Sequence, residues 1–189
     1  MRSLATPAAF FDSLREAHLL GSSLDQSEID GLNAILQACG EAGWGRFWAA
    51  YALATAYHET AGTMKPVREA YWLSEAWRKK NLRYYPWYGR GYVQITWLKN
   101  YQKADDELGL CGTLVANLDR AMEPQLAADI MINGMREGWF TGKKIGDYIT
   151  AQKQDYVGAR RVINGTDKAQ KIASHARDFQ EALEAGAWS

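Results

Sequence analysis

A chain of 189 residues is long enough for one packed domain with room for a cleft, and its 47% hydrophobic content removes disorder from consideration. Its 22 basic and 22 acidic side chains cancel, so no overall charge favours nucleic acid or an acidic membrane surface as a partner. Cys39 and Cys111 are too few for a disulfide framework and form no metal spacing; two buried thiols are expected. Eight Trp and ten Tyr are many for this length, and serve either as core or as flat faces for sugar rings. No stretch approaches the roughly 20 apolar residues of a membrane span. Pro7, Asp12 and Arg15 interrupt any signal-peptide core, so the protein is expected to be made and folded in a cytoplasm without stable membrane insertion.

Thr6-Pro7 predicts a helix start, with Phe10, Leu14 and His18 on its apolar face and a stop near Gly21. Ser23 to Gln26 has capping-box spacing, and Ile29, Leu32, Ile35 and Leu36 form the stripe of a second helix. A third, from Gly45, carries Phe47, Trp48, Tyr51, Leu53, Ala54 and Tyr57; being apolar on nearly all sides, it is expected at the centre, with Gly62 just past its end. Leu73 to Leu82 reads as a short helix with Trp77 inward and Arg78, Lys79 and Lys80 outward. Tyr84 to Tyr88 is a rigid aromatic loop, and Tyr92 to Thr96 alternates like a short strand or hairpin.

Further helices are predicted through Tyr101, Ala104 and Leu108 to Gly109, and from Glu123-Pro124 through Met131 and Met135 to Gly138. Shorter pieces follow at Lys144–Ile149 and Tyr156–Ile163. Asn164-Gly165 is a turn, and Thr166 the N-cap of a last helix with Ile172, Ala176, Phe179 and Leu183 inward. No repeat, low-complexity tract or linker interrupts the chain. A single catalytic domain over 1–189, mainly α with one small β element, is expected.

Tyr57-His58-Glu59-Thr60-Ala61-Gly62 puts an ionisable pair where the apolar helix stops, and Glu69 follows. Inverting cleavage of a glycosidic bond needs two carboxyl groups, one protonated to assist the leaving oxygen and one ionised to activate water. Glu59, on an apolar helix, suits the acid; Glu69, beside Arg68, suits the base. Spacing alone also fits a plain helix-terminal carboxylate and a surface glutamate. A helical zinc motif would need a second His where Gly62 stands. Gly89-Arg90-Gly91 starts like a dinucleotide fingerprint, but Gln94 takes the place of its third glycine.

His58-Glu59-Thr60-Ala61-Gly62, Glu69, Tyr88-Gly89-Arg90-Gly91-Tyr92-Val93-Gln94-Ile95-Thr96 with Asn100-Tyr101, and Val162-Ile163-Asn164-Gly165 together resemble glycoside hydrolase family 19. That family holds plant-type class I chitinases and a group of bacteriophage endolysins. Phe10 to Leu14, Arg136 to Lys144 and Asp155 to Gly165 bring the chain nearer the endolysin branch.

The resemblance implies a lysozyme-like fold, a helical body with a small β-containing lobe and a cleft between. It implies hydrolysis of β-1,4 bonds in peptidoglycan without cofactor or metal, by a monomer that needs no separate wall-binding domain and reaches the wall from the host cytoplasm with a holin's help. Glu59 takes the acid's position, Glu69 the base's with Glu75 in reserve, and Thr96 that of the hydroxyl holding the attacking water. His58, Tyr88, Arg90, Gln94, Asn100 and Asn164 fall at substrate-binding positions. For Arg90 a structural ion pair is the competing role. Tyr71, Trp72 and Trp87 are candidate sugar platforms, and Lys171 a stand-in for a basic binding position. The chitinases' cysteine pattern and cleft-lengthening loops are missing, which suits a crosslinked, peptide-bearing polymer; chitin is the rival substrate, and non-catalytic wall binding the rival role.

Overall fold

The computed structural model describes residues 1–20 and 24–189. Proline at the first helical position opens α1 (Pro7–Glu16), which buries Phe10 and Leu14. It ends earlier than expected: His18 lies beyond it with φ +51, exposed. The expected stop at Gly21 and cap at Ser23 lie outside the described residues. The second helix, α2 (Gln26–Glu41), has its capping box at Asp25 and Glu28 and buries Leu32, Ile35 and Leu36.

Five alanines make α3 (Arg46–Glu59) a strong helix that neighbours can approach on every side. Every residue from Ala49 to Ala56 is buried. Its stop differs in detail from expectation. Thr60 is the C-cap, its hydroxyl donating to the Ala56 carbonyl (2.8 Å) and accepting from the Met64 N–H (3.1 Å). Ala61 takes the first left-handed position (φ +53), and Gly62 (φ +86) the second.

The small lobe follows. β1 (Val67–Arg68) leads through turns to α4 (Glu75–Asn81), and β2 (Arg90–Gly91) returns antiparallel, pairing Val67 with Gly91 and Arg68 with Arg90. The order within α4 inverts the expected one: Trp77 is 38% exposed and Arg78 only 5%. Arg78 goes inward because its guanidinium meets the carbonyls of Glu69 (2.8 Å) and Ala70 (2.9 Å). Residues 92–96 are not a strand. Gln94 has φ +53, and Arg90 and Ile95 close a tight turn across Tyr92 and Val93.

The body resumes with α5 (Leu98–Glu107), α6 (Thr113–Ala116), a 3-10 turn (Leu118–Met122) and α7 (Pro124–Glu137), which stops at left-handed Gly138. A 3-10 turn (Ile145–Asp147), α8 (Tyr156–Ala159) with a 3-10 extension (Arg160–Val162), and α9 (Ala169–Ala185) complete it. Lys168, in the left-handed region, precedes α9 where Thr166 was expected as cap. Ile172, Ala176, Phe179 and Leu183 are fully buried as their stripe predicts. The most extensive packing joins α3 to α9, with α1 and α8 also on α9 and α2 on α7. Cys39 is buried, but Cys111 is exposed, contrary to expectation.

Candidate active site

The last residue of α3 is Glu59. Its Oε1 accepts from Arg160 Nη1 at 2.6 Å, an ion pair whose side chains are 18% and 3% exposed. Arg160 is held in turn by donating Nε to the Asp167 carbonyl at 3.1 Å. Among the described residues, Oε2 of Glu59 has no protein partner. His58 is half-buried beside it. Burial lowers its pKa from the ordinary 6.5; Glu59 opposes this, and the charges of Arg160 and Lys171 add to the lowering.

Glu69 sits just past β1 and is bound differently. Oε1 accepts from the Tyr84 hydroxyl (2.5 Å) and Oε2 from the Gly89 N–H (3.0 Å). Tyr84 stays protonated as donor: burial, its bond to Glu69 and that carboxylate's charge push its pKa up to about 12. A side chain at position 89 would crowd the site, its Cβ standing 2.7 Å from Gln94 Oε1 and 3.3 Å from Glu69 Oε2.

The other expected residues of this segment hang from the same loop. Gln94 donates Nε2 to the carbonyls of Val67 (2.8 Å) and Gly91 (3.1 Å), tying the turn to β1. Thr96 donates its hydroxyl to the Gln94 carbonyl (2.8 Å), and Asn100 donates Nδ2 to the Thr96 carbonyl (2.7 Å). In this arrangement Thr96 meets a water as an acceptor. Gln94, Thr96 and Asn100 therefore form one hydrogen-bonded chain on the loop whose Gly89 binds Glu69.

A second network underlies that loop. Arg90, 4% exposed, donates to Asp119 (2.9 Å), to the carbonyls of Pro86 (3.0 Å) and Tyr88 (3.2 Å), and to the Tyr101 hydroxyl (3.2 Å). Its guanidinium also lies 3.8 Å from the Tyr88 ring centre. The structural role weighed for Arg90 accounts for all of these contacts. Asp119 also binds Arg68 (2.9 Å), which overturns the expectation that Arg68 attends Glu69. Glu75 is turned elsewhere, accepting from Tyr88 (2.9 Å) and Arg78 (3.2 Å).

Asn164 is exposed and accepts from its own turn at the Gly165 N–H (2.8 Å), without contact to the Glu69 group. Tyr71 and Trp72 are 57% and 72% exposed and meet edge to face at 5.1 Å. Trp87 is half-buried and lines a slot with Tyr84 and Trp97. Sequence reasoning missed Arg160 and the role of Tyr84. No spacing rule links Arg160 to a glutamate 101 positions away, whereas Tyr84 belonged to the aromatic loop already singled out.

Neither a scan against protein-family models nor a search of curated proteins finds a match. Among solved structures, chitinase C from Streptomyces griseus HUT6037 aligns over 96% of this chain and 77% of its own, at 22% identity and a TM-score of 0.63. A bacterial family 19 chitinase aligns over 96% and 95% at 22% identity and 0.58. A glutamate-to-glutamine mutant of chitinase C aligns over 96% and 93% at 20% and 0.62. The chain thus has the mainly α, lysozyme-like fold of family 19 chitinases.

Proposed function

We propose that the protein is a glycoside hydrolase that cuts β-1,4 bonds of peptidoglycan by inversion, with Glu59 as general acid, Glu69 as general base and Thr96 holding the attacking water. The observation that carries this reading is the asymmetry of the two carboxyl groups. Glu59 keeps one oxygen on Arg160, against the apolar setting expected for it, and leaves the other without a protein partner among the described residues. Glu69 accepts at both oxygens and has lone pairs left for a water. A water between Glu69 and Thr96 would donate to both, leaving a lone pair for the anomeric carbon.

The biological role we assign is that of an endolysin, acting on the wall after a holin opens the membrane. No described helix is long and apolar enough to cross a membrane itself. Chitin is the second reading, favoured by the names of the aligned structures. Mass spectrometry of borohydride-reduced digests of purified peptidoglycan tests the proposal. Reduced sugar ends at one position of the disaccharide are expected. Anhydro ends would replace hydrolysis by transglycosylation, and an intact wall beside cleaved chitin oligomers would transfer the activity to the second substrate.

A further inference from the structure

Every charged residue between Ala76 and Ala104 is basic, in a chain whose formal charge is zero. Arg78 and Arg90 are buried and bound within the protein. The remaining five, Lys79, Lys80, Arg83, Lys99 and Lys103, are exposed, and among the described residues none of them forms an ion pair. Elsewhere arginines are commonly matched, as Arg68, Arg120, Arg136 and Arg160 are.

Two of the unmatched cations flank an aromatic slot. Arg83 and Lys99, with Tyr84, Trp87, Trp97 and Leu98, line a cavity of about 380 Å³. Trp97 is 42% exposed in a left-handed backbone conformation (φ +74), anchored by its N–H to the Trp87 carbonyl at 2.8 Å. Its ring packs on Tyr84 at 5.0 Å, and the Arg83 guanidinium lies 5.6 Å from its centre. A large apolar ring is thus held half in water in a backbone region that L-residues rarely adopt, which points to a use for its face. The slot is continuous with the proposed base, because Tyr84 both lines it and donates to Glu69.

We infer that this slot is the subsite that reads the peptide stem of a wall glycan beside the bond to be cut. The inference rests on the peptidoglycan reading above and deepens it. The aromatic faces of Trp97 and Trp87 pack against a sugar ring and the methyl groups at the root of the stem. Arg83 and Lys99 pair with stem carboxylates, which bare chitin lacks. The other exposed lysines of this stretch add to the same attraction for a polymer that bears many stems. This gives a physical basis for preferring wall over chitin on a chitinase-like fold.

The test uses the full-length Glu59→Gln protein and isothermal titration with two soluble probes: disaccharide repeats bearing their peptide stems, and the same glycan after amidase removal of the stems. Stem-bearing fragments should bind roughly tenfold tighter, with the difference shrinking as salt rises. Adding Arg83→Gln and Lys99→Gln should erase the difference between the two probes. Removing two cations elsewhere, with Arg15→Gln and Lys143→Gln, should leave the preference intact.

Equal affinities for the two probes, a preference surviving Arg83→Gln/Lys99→Gln, or its loss in the control variant would each overturn the inference. Wild-type turnover on both polymers is scored separately. If the wild type cleaves wall glycan but shows no stem preference, the inference falls and the reaction stands. If it cleaves neither while the stem preference persists through the slot, the reaction falls and the recognition site stands.

Discussion

At the scale of single residues, the chemistry turns on what remains attached when each carboxyl is altered. Glu59→Gln keeps an oxygen for Arg160 but has no proton to give. Turnover should fall by about 10²–10⁴-fold or more, with the thermal midpoint within a few degrees of wild type. Glu59→Ala should be equally inactive but clearly less stable, by roughly 1–3 kcal/mol, because the buried Arg160 guanidinium loses its partner. Comparing midpoints of the two variants by calorimetry checks this; equal midpoints would mean that Arg160 finds other support. Glu69→Gln should be severe as well, since an amide cannot accept at both positions from Tyr84 and Gly89. Glu75→Gln should be mild in turnover, because Glu75 is turned to Tyr88 and Arg78. The reverse ranking of these two in a sacculus-turbidity assay would move the base to Glu75. Motif and spacing brought Glu59 and Glu69 forward from the sequence. They did not reveal their partners, because Arg160 and Tyr84 come from separate elements and only packing brings them close.

At the scale of elements, the helices carrying strong periodic stripes were legible, and the departures came where a side chain had a polar task. In α4 the expectation put Trp77 inside on hydrophobicity; Arg78 goes there instead, donating to the carbonyls of Glu69 and Ala70. Tyr92 to Thr96 alternated like a strand, yet Gln94 closes a turn because its amide satisfies the carbonyls of Val67 and Gly91. Small-lobe elements this short carry too few residues for periodicity to report on them. The end of α3 shows a related limit. Gly62 marked the helix stop, but the first left-handed residue is Ala61, exposed at φ +53. An alanine there gives up about 1–2 kcal/mol, only part of which glycine would forfeit through added freedom in the unfolded chain. Ala61→Gly should therefore raise stability by roughly 0.5–1 kcal/mol in urea unfolding, with turnover unchanged. A destabilised variant would show that the strain is relieved by contacts of the alanine methyl.

At the scale of the whole molecule, acid should loosen the α3–α9 packing that positions Glu59. His58 on α3 and His175 on α9 both have pKa values lowered from 6.5, by burial first. His58 faces Glu59, Arg160, Asp167 and Lys171; His175 faces Asp178, Lys171 and His58. His175 also packs edge to face on Tyr57 at 4.8 Å, and its Nε2 is buried without a partner. A proton on Nε2 would thus meet no acceptor among the described residues, while Nδ1 lies 3.9 Å from Asp178. With folded pKa values below the unfolded ones, the unfolded chain binds more protons as pH falls below about 6.5. Stability from the neutral rings is then present above that pH and is lost as pH drops through the folded values. A further acid loss follows lower down, where Asp25 shifts from 3.8 to about 2 through its bonds to Ser27, Glu28 and Lys65. The thermal midpoint should be level from pH 8 to 7 and then decline from about pH 6.5, with low-affinity ANS binding absent until unfolding begins. His58→Gln combined with His175→Gln should flatten the first decline and leave the Asp25-linked one, since both rings whose charging burial disfavours are then gone. A decline of unchanged size in that double variant would assign the sensitivity to other groups, and would remove the α3–α9 interface as the first place where acid acts on this fold.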